Sequence, residues 1–201
     1  KTGLGMMECK KALEEANGNL EEAIKNLRKS SALKAEKKAS RTAVEGIIIS
    51  KISDNEITFV EVNCETDFVA KDENFINFCE EALKVAVDTS SEENLLDEVS
   101  ERMEKQRMAL VQKIGENIII RKVKKITGEV LESYIHSNKK IAAGVSLDQG
   151  SPEIAKEVAM HIAASNPIVL SPEDLDESYI NSEREIFRSQ VEKENKPEEI
   201  K

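Results

Sequence analysis

The chain has 201 residues, of which 39% are hydrophobic, and it carries a formal net charge of −10 at pH 7. This length accommodates one or two domains with modest hydrophobic cores. The acidic balance argues against wholesale nucleic-acid binding, which needs basic surface to neutralise phosphates. No apolar run approaches the roughly 20 residues that a membrane helix needs. We therefore predict a soluble globular protein with no membrane span and no direct nucleic-acid partner.

Two short helices and a linker are predicted at the start of the chain. Residues 6–16 place apolar side chains on one helical face, after which Asn17 and Gly18 tolerate a left-handed stop. A second helix follows, with Asn19 as its cap, and ends near residue 29. Residues 30–41 are small, polar and rich in lysine, so we interpret them as a linker, although their composition permits helix.

The largest predicted unit is an α+β core over residues 42–175, with subdomains at about 42–128 and 129–175. Its strands are predicted to pair locally in antiparallel fashion, at residues 43–52, 57–63, 117–125, 129–136 and 141–147. One helix is predicted behind Asp72, and a second from Ser90, capped with Glu93, to about Ile114.

Two more helices are predicted near the end, because Ser151 and Ser171 each precede a proline, which is typical of a helix start. The first extends to about residue 165 and is expected to turn these side chains inward: Ile154, Val158, Ala159, Ile162 and Ala163. The last begins near residue 176 and carries a thin apolar seam among many charges. That seam suits packing against a partner helix.

The cysteines and histidines indicate neither a disulfide framework nor a metal site. Cys9, Cys64 and Cys79 are odd in number and unevenly spaced, which suits a reducing compartment. The sequence has no Cys-x-x-Cys or closely spaced His pair that would hold a metal together with His136 or His161. A glycine-rich phosphate loop and a nucleophile elbow are also missing. We predict no metal, no cofactor and no catalytic centre.

The most informative stretch is residues 61–71, where the apolar alternation of a strand stops at a polar turn that carries Phe68. Connections of this kind lie at the surface and often carry binding residues. From the residues alone, Asp67 either accepts backbone hydrogen bonds while Phe68 staples the turn onto the core, or Phe68 projects toward another molecule. Both interpretations remain open at this point.

The run Asn-Cys-Glu-Thr-Asp-Phe-Val-Ala-Lys at residues 63–71 resembles the signature of elongation factor Ts, the nucleotide-exchange factor for the GTPase elongation factor Tu. Residues 2–13 resemble the amino-terminal motif of the same family. Residues 113–117 and 161–164 follow in the order that the family has them. The resemblance thus spans nearly the whole chain, and it implies a translation factor that is not an enzyme.

The resemblance implies that Thr66, Asp67, Phe68 and Val69 contact the partner. In the family, the matching aspartate and phenylalanine press into the magnesium side of the nucleotide site of elongation factor Tu. The turn would therefore displace Mg²⁺ and promote release of GDP.

Two further contacts are expected from the resemblance. Met6 and Met7 would bind the partner through the amino-terminal helices, the alternative being one core methionine and one incidental one. His136 falls where the family has a histidine that meets the partner's distal domain. The residues that follow it, Ser137 to Ile141, depart from the family pattern, so a plain strand-end role competes for His136.

The resemblance also implies an architecture. Residues 1–29 would be a ubiquitin-associated-like helical module without its first helix, and residues 176–201 the beginning of a coiled-coil arm. Elongation factor Tu is the expected partner, with a homodimer inside a heterotetramer as one assembly. The expected location is the cytoplasm, or else a mitochondrial or plastid matrix. The main alternative is a non-catalytic helical adaptor, with an enzyme as a distant third.

Overall fold

The structure, a computed structural model, describes residues 2, 4–53, 55–91 and 93–193, and for Lys193 the backbone alone. Helices and antiparallel strands together confirm the predicted α+β class. The helices are α1 (Met6–Glu15), α2 (Leu20–Ala39), α3 (Glu73–Val87), α4 (Leu95–Ile114), α5 (Pro152–Ser165) and α6 (Glu177–Lys193). The strands are β1 (Glu45–Ser53), β2 (Glu56–Cys64), β3 (Ile119–Thr127), β4 (Val130–Ile135) and β5 (Ala142–Leu147). Residues 1–164 form one compact unit, and residues 165–201 form a second.

The joint between α1 and α2 follows the local sequence signals. Asn17 and Gly18 have φ angles of 49° and 84°, so both adopt the left-handed conformation that ends α1. The Asn19 side chain then accepts hydrogen bonds from the backbone N–H groups of Glu21 and Glu22, each at 3.1 Å. These two features confirm the predicted stop and the predicted cap.

The structure corrects the predicted linker at residues 30–41. Helix α2 does not end near residue 29 but continues to Ala39. Ser31 and Ala35 are one helical turn apart and are buried, and Ala35 belongs to the core formed with α3, α4 and the sheet. Small side chains at this spacing let two helices approach closely, and α2 accordingly packs along α4. This segment is packed helix.

The larger sheet has the order β1-β2-β3 and is antiparallel throughout. Helices α3 and α4 cover one of its faces, and the buried side chains between the layers include Val60, Val62, Phe75, Val99 and Val111. All the strands were predicted to within two residues at each end. Helix α4, in contrast, begins at Leu95 instead of the predicted Ser90. The buried apolar period of α4 begins only at Leu95, which explains the later start.

Gly46 in β1 is required by a close backbone approach. Its φ angle is 140°, and a Cβ atom on it would lie 2.1 Å from the carbonyl oxygen of Val62 in β2. Any other side chain would therefore clash with the strand that leads into the polar turn.

The smaller sheet pairs β4 with β5 and packs against α5. Here the predicted inward face of α5 is partly wrong. Ala155 and Ala159 are fully buried, and Ile162 and Ala163 pack beside them, whereas Ile154 and Val158 are exposed. Because alanine has little bulk, the helix lies close to the strands on its alanine face, and the larger side chains turn outward.

The β4–β5 hairpin is attached to the free edge of β1. The backbone N–H of Ile48 donates to the carbonyl oxygen of Lys139 at 2.7 Å, and the hydroxyls of Ser50 and Ser133 lie 3.1 Å apart. The two sheets thus share contacts inside one compact unit. The predicted subdomain boundary near residue 128 stays a prediction.

The second unit contains a short 3-10 turn, Pro172–Asp174, and helix α6. Ser171 and Asp174 form a capping box at the turn, and the Asp176 carboxylate accepts a 2.7 Å hydrogen bond from the N–H of Ser178 at the start of α6. The predicted arm over residues 176–201 is helical to Lys193, and its remainder lies outside the described residues. No helix in the described part of the chain is long and apolar enough to cross a membrane.

The packing of α2 predicts that adding bulk at Ala35 destabilises the fold. Overpacking a filled core typically costs about 1–3 kcal/mol, so Ala35→Leu should lower the melting temperature by several degrees. Ala32→Leu, on the exposed face of the same helix, is the matched control and should change it little. Differential scanning calorimetry of both variants measures this, and equal melting temperatures would mean that α2 does not pack there.

Candidate functional site

The polar turn after β2 is short and fixed at both ends. It begins beyond Cys64 and contains a single 3-10 turn, Val69–Lys71. At its other end the Asp72 carboxylate caps α3 by accepting from the N–H groups of Asn74 at 2.8 Å and Phe75 at 3.4 Å. The Asn74 side-chain amide also donates to this carboxylate at 3.0 Å, and this bond, followed by the two backbone bonds, lowers the pKa of Asp72 and keeps the cap ionised.

Within this turn, Phe68 points away from the protein. Its side chain is 81% exposed, so it does not staple the turn onto the core. That structural role belongs to Val69 and Ala70, which are partly buried and pack against the main core. Of the two interpretations left open by the sequence, the structure thus supports a projecting Phe68.

Asp67 is paired within the turn. Its carboxylate accepts a hydrogen bond from Lys71 Nζ at 2.8 Å, and this bond, followed by the lysine charge, lowers the pKa of Asp67. The charge of Lys140, on the tip of the β4–β5 hairpin, adds to the same effect. Lys140 itself forms an ion pair with Glu45 at 2.5 Å. An ionised carboxylate therefore lies beside the exposed ring of Phe68.

Thr66 anchors the start of the turn through Glu116, which follows α4. One carboxylate oxygen of Glu116 accepts from the N–H groups of Glu65 and Thr66, both at 3.0 Å. The other oxygen accepts from the Thr66 hydroxyl at 2.7 Å, and the Thr66 oxygen in turn accepts from the N–H of Val69 at 3.4 Å. The Cys64 thiol donates to the Thr66 carbonyl at 3.2 Å. The Thr66 carbonyl also accepts from the N–H of Ala70 at 3.2 Å, so five hydrogen bonds hold Thr66.

The same region joins the turn to the end of α2. Gly115, with a φ angle of 92°, ends α4 and turns the chain toward β3. The Glu65 carboxylate accepts from the N–H of Asn117 at 2.6 Å, and the buried Asn117 amide donates to the carbonyl oxygens of Arg41 at 2.8 Å and Ala39 at 3.4 Å. Three segments that are distant in sequence therefore meet at Asn117.

Met6 and Met7 lie in the first turn of α1 and are 84% and 72% exposed. Neither is a core residue, so the alternative of one core methionine is wrong. The small core between α1 and α2 consists of Ala12, Ala16, Ala23 and Leu27, with Leu4 and Leu13 beside it. Helix α1 is braced by Glu8, which pairs with Lys34 and accepts from Gln112 Nε2 on α4 at 2.8 Å. Both contacts lower the pKa of Glu8.

His136 lies at the end of β4 and is exposed. Its N–H donates to the carbonyl oxygen of Ile141 at 2.9 Å, and its ring Nδ1 lies 3.1 Å from the Tyr134 hydroxyl. These contacts are local to the β4–β5 hairpin. Lys140, in the loop that follows His136, is instead the hairpin residue whose charge reaches Asp67 in the Phe68 turn.

Sequence reasoning missed Glu116 and Asn117 as parts of this site. Both occur in the stretch 113–117, which was noted only for its order in the family. The signal in the sequence was a glycine after a long helix followed by two polar residues, but the pattern does not show what those polar groups bind. Across the described residues, no group of three or more His, Cys, Asp or Glu side chains is arranged to hold a metal.

Aromatic side chains contribute strongly to protein–protein interfaces, so an exposed ring on a fixed turn suits contact with a partner. The family model described as Elongation factor TS matches residues 65–201. Proteins named Elongation factor Ts from Marinobacter nauticus and Hahella chejuensis are 52% and 48% identical over 202 residues. Another from Teredinibacter turnerae is 50% identical over 205 residues. Each alignment covers 100% of this chain and 70% of the relative.

The chain therefore belongs to the elongation factor Ts family, a family of translation elongation factors. The resemblance seen in residues 63–71 and 2–13 is confirmed.

The burial of two thiols predicts selective cysteine labelling. Burial raises the pKa of Cys64 to about 12 and also raises the pKa of Cys79, so both stay protonated at pH 8. Cys9 is only partly buried. Iodoacetamide should alkylate Cys9 first in the native protein and all three cysteines after denaturation, as measured by peptide mass spectrometry. Rapid native labelling of Cys64 would contradict the closed arrangement around Thr66.

Proposed function

We propose that this protein is a guanine-nucleotide exchange factor that binds elongation factor Tu and promotes the release of GDP. In this proposal Thr66, Asp67, Phe68 and Val69 form the contact that disturbs the Mg²⁺ and phosphate side of the partner's nucleotide site. Release of GDP then regenerates the GTP form for translation elongation. The observation that supports this most is the exposure of Phe68 on a turn whose flanking residues are fixed.

The chemistry of Phe68 suits a wedge. A phenyl ring presents a large apolar area with few rotatable bonds, so its insertion into a partner loses little conformational entropy. The backbone on both sides is already held by Glu116 and by the Asp72 cap, so little ordering of the turn remains for the binding step. The ionised Asp67 beside the ring is suited to act near a bound cation.

The mechanism follows from thermodynamic linkage. GTPases hold GDP through a phosphate-binding loop and a bound Mg²⁺. A factor that binds the empty or distorted GTPase more tightly than the Mg²⁺–GDP form lowers the affinity for the nucleotide by the same factor. Exchange then needs no covalent step, no cofactor and no catalytic residue, and the protein is not an enzyme in this proposal.

Met6 and Met7 are proposed as a second contact. Methionine adapts to irregular apolar surfaces, and two adjacent exposed methionines form such a surface on α1. They belong to the same compact unit as Phe68. The two contacts therefore engage one partner at a high effective concentration. His136 is proposed as a weaker third contact.

The assembly and the location are also proposals. The relatives named above come from bacteria, which supports the bacterial cytoplasm as the location. A homodimer of exchange factors, each bound to one elongation factor Tu, would give a heterotetramer. The exposed apolar side chains of α6, Tyr179, Ile186 and Phe187, suit packing of the proposed coiled-coil arm.

We predict that Phe68→Ala slows exchange without harming the fold. Loss of a central aromatic contact typically costs about 2 kcal/mol or more in binding, so the stimulated release of fluorescent GDP from elongation factor Tu should fall by roughly tenfold or more. Ile52→Ala is the matched control. Ile52 is an exposed apolar residue near the end of β1 that lies away from the Phe68 turn, so its loss should leave exchange unchanged.

The melting temperature of Phe68→Ala should stay close to that of the wild type. A clear drop in melting temperature, with exchange per folded molecule unchanged, would mean that Phe68 stabilises the core and that the proposed mechanism is wrong. If the wild-type protein binds elongation factor Tu but does not accelerate GDP release, the alternative function as a helical adaptor is favoured instead.

We also predict that Mg²⁺ opposes the complex. If the turn disturbs the metal side of the nucleotide site, Mg²⁺ with GDP and this protein favour opposite conformations of the partner, and reciprocity fixes the sign. Raising free Mg²⁺ at saturating GDP should weaken the affinity for elongation factor Tu, measured by titration at constant ionic strength. An affinity that is indifferent to Mg²⁺ would place the turn elsewhere on the partner.

A further inference from the structure

We propose that Glu116 is a positioning residue for nucleotide exchange, which acts by holding the backbone of the Phe68 turn in its active geometry. This inference rests on the function proposed above, because it assigns Glu116 a role through Phe68. The observation behind it is that one carboxylate receives three hydrogen bonds from two consecutive residues at the start of the turn.

The three donors fix the turn in different ways. The N–H groups of Glu65 and Thr66 share one oxygen at 3.0 Å each, which sets the direction in which the chain leaves β2. The Thr66 hydroxyl donates to the other oxygen at 2.7 Å, which sets the rotamer of Thr66. In that rotamer the Thr66 oxygen faces the N–H of Val69, so the bond spans Asp67 and Phe68. Hydrogen bonds to an ionised acceptor are stronger than neutral ones.

The segment that contains Glu116 is in turn held by Glu65, at the start of the turn. Its neighbour Asn117 donates its N–H to the Glu65 carboxylate at 2.6 Å, while the N–H of Glu65 donates to Glu116. The two chain segments thus exchange hydrogen bonds in both directions, as paired strands do. The Asn117 side chain is fully buried, and Gly115 sets the path of the chain into this arrangement.

Glu116 is placed to orient the turn and not to contact the partner. It is half-buried, and both of its oxygens already accept hydrogen bonds from within the protein. Asp67 and Phe68, by comparison, are exposed. Without the Glu116 carboxylate, the N–H groups of Glu65 and Thr66 would lose their acceptor, and the turn would sample several conformations before each insertion of Phe68.

Glu116→Ala is expected to lower the maximal rate of GDP release more than it changes the concentration needed for half-maximal stimulation. Since leaving two amide donors without an acceptor typically reduces the population of a conformation on the order of tenfold, the maximal rate of GDP release with Glu116→Ala should fall by about that factor. The concentration for half-maximal stimulation should change less than about threefold, because Met6 and Met7 still bind.

Rescue by a conservative variant separates orientation from charge. In Glu116→Gln, the amide oxygen can accept from the two backbone N–H groups, and the amide nitrogen can donate to the Thr66 oxygen. This variant should recover most of the maximal rate. Glu104→Ala is the matched control, because Glu104 pairs with Arg107 on α4 and lies outside the turn. It should exchange at the wild-type rate.

A double mutant tests whether Glu116 acts through Phe68. If it does, adding Glu116→Ala to Phe68→Ala should lower the maximal rate by less than about twofold, since the ring that the carboxylate positions is already absent. All rates are expressed per folded molecule from calorimetry. Hydrogen exchange of the Glu65 and Thr66 amides should be faster in Glu116→Ala and near wild type in Glu116→Gln.

Each outcome has a distinct meaning. If Phe68→Ala lowers the maximal rate of GDP release and Glu116→Ala does not, the positioning role is overturned and the proposed function stands. If the fold losses in rate of the two single mutants multiply in the double mutant, the positioning role is also overturned, because Glu116 would then act independently of the Phe68 ring. A normal rate for Phe68→Ala overturns the proposed role of the turn, and the role of Glu116 fails with it.

Discussion

The end of helix α4 is the constraint that joins the larger sheet, helix α2 and the Phe68 turn. Gly115 adopts a left-handed conformation, and the two residues after it bind the end of β2 on one side and the end of α2 on the other. Asn117 is fully buried, and its amide nitrogen donates to the carbonyl oxygens of Ala39, the last residue of α2, and of Arg41 just beyond that helix. The larger sheet, α2, α4 and the turn are therefore fixed relative to one another at this point.

This constraint joins the two candidate contact surfaces. Helix α4 holds α1 through Gln112 and Glu8, and one turn later it leads into Glu116, which holds the turn that carries Phe68. A flexible linker would leave the methionines and the phenylalanine free to search many relative positions. The packed helix α2 removes that freedom, so the proposed partner would meet a surface whose two parts already have their final spacing.

Features set by interactions between residues close in sequence were predicted correctly, whereas those set by contacts between distant residues were not. The stop at Asn17, the cap at Asn19 and the helix behind Asp72 were predicted correctly because each depends on residues within four positions in the sequence. The linker was wrong because the burial of Ala35 depends on α4, far along the chain. The inward face of α5 was assigned by hydrophobicity, which wrongly included Ile154 and Val158, whereas close packing against the sheet buries Ala155 beside the correctly predicted Ala159. Glu116 lies fifty residues from Thr66 in the sequence, and no local pattern relates the two.

Within the turn, different residues provide the core packing, the hydrogen bonds and the exposed ring. Val69 and Ala70 contribute to the core and Thr66 carries side-chain hydrogen bonds, whereas the side chain of Phe68 does neither. An exposed phenylalanine in a chain with 3% aromatic residues keeps apolar area in water, and the fold gains nothing from it. Since the hydrogen bonds that surround the ring would form equally well with a small residue at that position, the fold does not require phenylalanine there. The exposure of the ring thus supports the proposal that Phe68 contacts a partner.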